Sequence, residues 1–366
     1  MTQEEMIQMA TTDAERKDLA RFPLSFGLDT FGDLNLENGE PVSHAQTLRN
    51  VVEQGVFAEQ VGLDFFGIGE HHTNDFPMPA ADVVLAAIAA RTSRIRLGSA
   101  VTVLSSDDPV RVFQRFSTLN ALSNGRAEVV LGRGSSIESF PLFGFDLGDY
   151  EELFEEKTEL FAEIMKGGPV TWSGRKRAAL KDQDVVPHLD AAMPVWIGVG
   201  GSPHSVIRAA RYGFNLMLAI IGGQPARFAP FSELFRQALA KFDWPARPIG
   251  VHSPGHVAET DEQAREELWP AYRDIITRLG PSRGFPVPTP DFYEREVGPR
   301  GALYVGSPET VAKKIAQNLP ILGASRFDLK HGMPGMSQES LLRSIELYGT
   351  SVVPRVRELL ATPAAA

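Results

Sequence analysis

Residues 94–131 read RIRLGSAVTVLSSDDPVRVFQRFSTLNALSNGRAEVVL, and this stretch sets the architecture. Ile95 to Leu104 is a short apolar and β-branched run, the pattern of a buried strand. Asp107-Asp108-Pro109 then opens a helix, with an acidic N-cap and a proline in the first turn, where a missing N–H is tolerated. Val112, Phe116, Leu119 and Leu122 step by three and four and mark its inner face. Asn124-Gly125 turns the chain, and Ala127 to Leu131 is a second apolar run. Strand, helix and strand in this order make one βα unit and the start of the next.

The same alternation continues in both directions. Upstream, strands at Leu24–Asp29 and Asp64–Gly67 precede helices at Ala45–Val61 and Ala80–Arg91. Downstream, a helix at Tyr150–Met165 carries Phe154, Phe161 and Met165 on one side. Strands follow at Pro194–Val199, Leu216–Ile221, Pro248–His252 and Arg326–Leu329. Helices at Ser202–Tyr212, Ala226–Lys241 and Asp261–Leu279, one starting at Ser307-Pro308-Glu309, and a closing one at Gln338–Leu360 separate or follow them. Thr362–Ala366 reads as a frayed tail. Eight such units predict an α/β fold, a closed (β/α)8 TIM barrel in a single domain, since no composition shift marks a second one. Three stretches exceed an ordinary connection: 132–149, 167–193 and 280–301. The last two are read as insertions in the βα loops, where they wall or cover an active site. The third holds five prolines and several glycines, which makes it a poor core element.

Composition excludes several functions. The chain has 366 residues, a formal net charge of −10 and no cysteine. Thiolate nucleophiles, disulfides and iron–sulfur clusters are therefore ruled out. The acidic balance argues against nucleic acid or anionic membranes as partners. Met1–Lys17 is polar and lacks the apolar centre of a secretory signal. No apolar run reaches membrane-spanning length. A cytoplasmic location is expected.

Three segments at strand ends can carry chemistry. Gly200-Gly201-Ser202-Pro203-His204-Ser205 lies between the fifth strand and its helix. The glycines admit close backbone approach, and a helix N-terminus with nearby hydroxyls suits a phosphate. Gly132-Arg133-Gly134-Ser135-Ser136 follows the fourth strand, where the Arg133 fork can reach a phosphate or a ring oxygen. Its spacing matches neither a P-loop nor the dinucleotide fingerprint. Gly69-Glu70-His71-His72 follows the second strand and places an imidazole where proton transfer is useful, with Glu70 able to orient it. A metal-dependent hydrolase would recruit His252 or His331, but the sequence has no His-x-His and no carboxylate directly after the eighth strand. The small residues of Gly98–Leu104 leave room for a flat ring, although a packed strand explains them equally well.

Taken together, these segments resemble the bacterial luciferase-like flavin-dependent monooxygenase family. The matching stretches run from Val61-Gly62-Leu63-Asp64 to Glu70-His71-His72 and from Arg94 to Arg111. They continue from Leu122 to Gly134 and from Pro194 to Gly213, with a late match at Gly306–Val311. The resemblance implies reduced FMN bound at the carboxyl face, or the deazaflavin F420 in some branches. By position, Ser202 and Ser205 match phosphate-binding hydroxyls beside Gly200 and Gly201, and Arg133 matches a phosphate-side arginine. His71 looks like the catalytic histidine. Ala100, Val101 and Thr102 match the segment against the flavin ring, with a cis peptide at the Ala100–Val101 junction. No metal is implied. Luciferase itself carries a reactive cysteine where this chain has Gly132, which disfavours light emission and an aldehyde substrate. The implied activity is oxygenation of a small organic substrate with O2, in a homodimer fed by a separate flavin reductase. An F420-dependent hydride-transfer enzyme and a non-catalytic flavin-binding protein remain as alternatives.

Overall fold

The computed structural model describes residues 21–134, 137–280 and 287–361. Met1–Lys17, Ser135, Ser136, residues 281–286 and Thr362–Ala366 lie outside that set. Eight parallel strands close on themselves: β1 (Ser25–Thr30), β2 (Phe65–Ile68), β3 (Arg96–Ser99), β4 (Ala127–Gly132), β5 (Val195–Val199), β6 (Asn215–Ala219), β7 (Ile249–Val257) and β8 (Arg326–His331). Each pairs with the next, and β8 returns to β1 with Leu329 opposite Leu28. The chain is a (β/α)8 barrel.

The helices stand outside: α1 (His44–Gln60), α2 (Ala81–Ala89), α3 (Pro109–Leu122), α4 (Tyr150–Ile164), α5 (Pro203–Arg211) and α6 (Ala229–Lys241). After β7 come α7 (Asp261–Leu279), α8 (Pro290–Val297) and α9 (Pro308–Leu322), and after β8 come α10 (Gln338–Leu347) and α11 (Val353–Ala361). Their starts follow a simple chemistry. Asp108, Thr289 and Ser307 each accept a backbone N–H of the first turn through the side chain, and each is followed by proline. Apolar side chains of the strands' outer faces meet the helices in the main core.

Inside the barrel the packing is different. The Phe65 ring sits near the axis because Gly67 and Gly98 flank it; a Cβ at these positions would lie 2.7 and 2.9 Å from that ring. The Arg326 guanidinium lies 3.8 Å over Phe65 and 4.8 Å over Trp196. It donates to Asp328 at 2.9 and 3.0 Å and also to Glu128, which accepts from Arg96 at 3.3 Å as well, so two guanidiniums match the two buried carboxylates. Val130, Trp196 and Met217 pack above this layer with Val101. The interior is therefore filled toward the amino ends of the strands, and space remains at the carboxyl ends.

Several expectations need correction. The run Ile95–Leu104 is not one strand. It breaks after Ser99 at a cis peptide between Ala100 and Val101, resumes as Thr102–Val103 beside β4, and ends in a 3-10 turn. Leu122 is 67% exposed, because a step of ten residues from Val112 rotates past the apolar stripe; Ser123 takes the buried position instead. The β7 strand runs through Pro254 and Gly255, both of which pair with β8. The closing helix is two helices joined by a π-helical turn at Tyr348–Val352, where Pro354 offers no N–H to an α-helical ladder.

The 167–193 stretch is not in a βα loop. It joins α4 to β5 as an antiparallel hairpin, Val170–Trp172 with Leu180–Gln183. The hairpin climbs the outer side of α4, where Glu156 accepts the N–H groups of Arg175, Lys176 and Arg177 at 2.6, 2.9 and 3.0 Å. The described part of the proline-rich 280–301 stretch, residues 287–301, does reach the core, because α8 buries Tyr293 and Val297 against α7.

Candidate active site

A cavity of about 580 Å³ opens at the carboxyl ends of the strands. That size is within the range of small-molecule and cofactor sites. Its floor is the segment after β3. Val101 is pressed between two glycines: a Cβ at Gly132 would lie 2.5 Å from Val101 Cγ2, and one at Gly198 would lie 3.1 Å from Val101 Cγ1. The Glu70 carboxylate accepts the Val103 N–H at 2.9 Å, and the Glu70 N–H donates to the Val101 carbonyl at 3.0 Å. The floor is thus held from β2 as well as from β4 and β5.

One end of the cavity is the start of α5. Gly200, Gly201 and Ser202 line it, and the Ser202 hydroxyl is not used in capping. Gly201 has φ of 134°, which only glycine adopts readily. Arg133 also lines the cavity. Its guanidinium pairs with Glu151 and lies 5.2 Å over the Tyr150 ring, whose hydroxyl donates to the Gly134 carbonyl at 2.8 Å. Burial raises the Tyr150 pKa, so the phenol keeps its proton.

At the other end two imidazoles flank Phe31. The His71 ring centroid lies 4.9 Å from that of Phe31, and the His252 ring stacks on it at 5.9 Å. Each has a carboxylate behind it. His71 Nδ1 lies 3.1 Å from Glu138 and His252 Nδ1 lies 2.7 Å from Asp29, and neither Nε2 atom has a partner among the described residues. Burial opposes a charge on His252, but the Asp29 charge and hydrogen bond outweigh it and raise the pKa. The outer wall is apolar and comes from α7 and α8, through Tyr272, Ile275, Ile276 and Phe292.

The structure brings together Ala100, Val101, Arg133, Gly200, Gly201, Ser202 and His71 around one cavity. It does not bring Thr102 or Ser205 to the lining. Thr102 pairs into the sheet beside Leu131, and Ser205 is buried with its hydroxyl accepting from Arg208 at 3.4 Å. Glu70 does not orient His71; it pairs with His72 at 2.9 Å, and Glu138 takes the place beside His71. Glu138, the Asp29–His252 pair and the α7 wall were not foreseen. His252 had been considered only as a metal ligand. Among the described residues no three His, Cys, Asp or Glu side chains converge as a metal site requires. Nor is any helix among them long and apolar enough to cross a membrane.

The residues fit a flat cofactor with a phosphate tail. The small floor of Ala100, Val101, Gly132 and Gly198 admits a ring system, and a free hydroxyl, a helix start and an arginine converge at one end. Comparison with known proteins agrees. The family model of the luciferase-like monooxygenases matches residues 33–326. Limonene 1,2-monooxygenase of Rhodococcus erythropolis is 27% identical over 314 residues, 81% of this chain and 78% of that one. The oxygenating constituent of 3,6-diketocamphane monooxygenase from Pseudomonas putida, solved with FMN, superposes with a TM-score of 0.73 at 18% identity. It covers 91% of this chain and 98% of that one. An F420-dependent secondary alcohol dehydrogenase, solved with an F420–acetone adduct, has a TM-score of 0.70 at 19% identity and covers 92% and 100%. A family match over most of the chain, on a barrel whose cavity lies at the strand ends, makes this protein an enzyme of the luciferase-like monooxygenase family.

Proposed function

We propose that the chain is a monooxygenase that uses reduced FMN and O2 on a small organic substrate. The observation that carries this reading is the floor at Val101, wedged between Gly132 and Gly198, with phosphate-type donors at one end and His71 at the other. Ser202, Gly200 and Gly201 would hold the phosphate together with Arg133, and Ala100 and Val101 would face the ring. Bound reduced FMN supplies the electrons that activate oxygen.

The chain's own residues have four tasks. Arg133 exchanges Glu151 for the phosphate, an easy exchange because Glu151 is largely exposed and such pairs contribute little. The α7 and α8 wall excludes water from the reacting end. With Nδ1 turned to Glu138, His71 presents Nε2 to the cavity for proton transfer. Glu138 fixes that orientation and steadies the ring once it is charged. The cytoplasmic setting expected from the sequence stays in the proposal, together with a separate reductase and a homodimer. A second reading, hydride transfer with F420, is kept because an F420-dependent enzyme shares the fold.

Anaerobic titration with each reduced cofactor tests the choice. FMN is expected to bind tightly and F420 weakly. Oxygen consumption coupled to product formation should follow only with FMN.

A further inference from the structure

The outer half of the cavity has a second acid–base element that the proposed reaction does not use. His252 sits on β7 and reaches over β8 to Asp29 on β1, 2.7 Å away. Its Nε2 has no partner among the described residues, and the residue lines the cavity. Because Nδ1–H points to a carboxylate and the ring favours its charged form, Nε2–H is a donor aimed at the substrate space. His71, on the other side of Phe31, presents its Nε2 to the same space.

The charges around His252 do not favour an ionised ligand. Lys330 donates to Asp33 at 2.6 Å and to the Gly332 carbonyl at 2.8 Å. Asp328 is held by Arg326, which also pairs with Glu128. Four cations, His252, Lys330, Arg326 and Arg96, thus meet four carboxylates, Asp29, Asp33, Asp328 and Glu128, and no counter-charge is left over for an ionised ligand. A carboxylate placed at Nε2 would compete with Asp29 for a charge that is already matched, and an ammonium would face the imidazolium. The α7 and α8 wall offers Ile275, Ile276 and Phe292, which have no polar side-chain atom, and the uncharged phenol of Tyr272.

We infer that this half of the cavity takes an uncharged, largely apolar molecule whose one hydrogen-bond-accepting oxygen is gripped by His252 Nε2. The inference rests on the cofactor lying over Val101, and it names the substrate class of that same site. Desolvated charge-assisted hydrogen bonds of this kind discriminate strongly against a ligand that lacks the acceptor.

Three matched probes test it: 4-tert-butylcyclohexanone, tert-butylcyclohexane and 4-tert-butylcyclohexanecarboxylate. Each is titrated calorimetrically into the full chain at pH 7, with and without FMN. The ketone is expected to bind at least tenfold more tightly than the carboxylate and about fivefold more tightly than the hydrocarbon. In His252→Asn, and in His252→Gln as a second variant, the ketone should lose its advantage while hydrocarbon affinity stays within twofold. That unchanged affinity separates lost recognition from a damaged fold. Equal or tighter binding of the carboxylate, or a ketone preference that survives both variants, overturns the inference. Absence of FMN binding in the same series instead sinks the cofactor reading, while the probe ranking on the cofactor-free chain still judges this one.

Discussion

The tightest contact in the cavity floor gives a quantitative test. In Gly132→Ala the new methyl would lie 2.5 Å from Val101 Cγ2, 2.9 Å from Cβ and 3.0 Å from Cγ1. Carbon atoms rest about 3.5–4.0 Å apart, so a shift of about 1 Å is needed. A rotamer change cannot supply it, because Cβ itself is too close. Retreat on the far side is limited by Gly198, whose own Cβ position is 3.1 Å from Val101 Cγ1. Gly132 does not use a left-handed backbone, so the cost is steric. Overpacking of this kind costs about 1–3 kcal/mol. Val101 is expected to move toward the cavity, where a bound ring would meet it; each 1.4 kcal/mol of that cost borne by the complex weakens binding about tenfold. Urea unfolding measures the first effect and fluorescence titration with FMN the second. Adding Val101→Ala should restore part of both, since it removes the two γ-methyls and leaves only the Cβ contact. If Gly132→Ala changes neither quantity, or if the double variant is no better than the single one, the wedged-floor account is wrong.

Three further outcomes are expected. His331 is sealed at the end of β8 with neither ring nitrogen bonded, and burial, aided by Lys330, pushes its pKa down to about 3. The unfolded chain takes up this proton from about pH 6.5 downward but the folded chain only near 3, so stability falls as the pH drops through that window. Between pH 6.5 and 4.5 the loss is about 2–3 kcal/mol at about 1.36 kcal/mol per pH unit. His331→Leu should show a smaller fall in its urea midpoint over that range, and an equal fall contradicts the assignment. Lys314 Nζ donates to the carbonyls of Val297, Gly298 and Leu303 at 3.0, 2.7 and 2.7 Å, tying α8 to α9. Lys314→Met leaves those carbonyls unpaired and should cost about 2–4 kcal/mol, with faster amide exchange confined mainly to residues 287–303; uniform exchange would speak against a local clamp. Glu138→Gln should lower turnover about tenfold or more and alter its pH profile, while FMN affinity stays constant. An unchanged profile would remove Glu138 from proton transfer.

What could be read in advance follows from the range of the forces involved. The barrel was legible because each strand and helix carries its own periodicity and cap, as at Asp108-Pro109 and Ser307-Pro308. The starts of these helices therefore fell where local chemistry put them. The break at Ala100 leaves no mark in the periodicity, since small and β-branched residues run on both sides of it; only the family resemblance points to it. Leu122 misled because a 4-3-3 stepping from Val112 falls short of the true helical repeat by the third turn. The Glu138 partner of His71 is 67 residues away in a loop without pattern, and Asp29 is 223 residues from His252. Such pairs are set by closure of the barrel, so no local window could reveal them. Likewise Ser205 looked like a ligand by its neighbours in sequence, yet the helix turns its hydroxyl inward to Arg208.

The central claim is that one cavity grips a flavin phosphate through Arg133 and the start of α5. Anaerobic titration of the full chain with reduced FMN, compared with the Arg133→Ala, Ser202→Ala double variant, tests it most directly. One FMN per chain is expected, with affinity at least tenfold weaker in the variant, since charge-assisted hydrogen bonds contribute about 1.5–3 kcal/mol each. Equal affinity in the two proteins, or no uptake of FMN by either, would contradict the account.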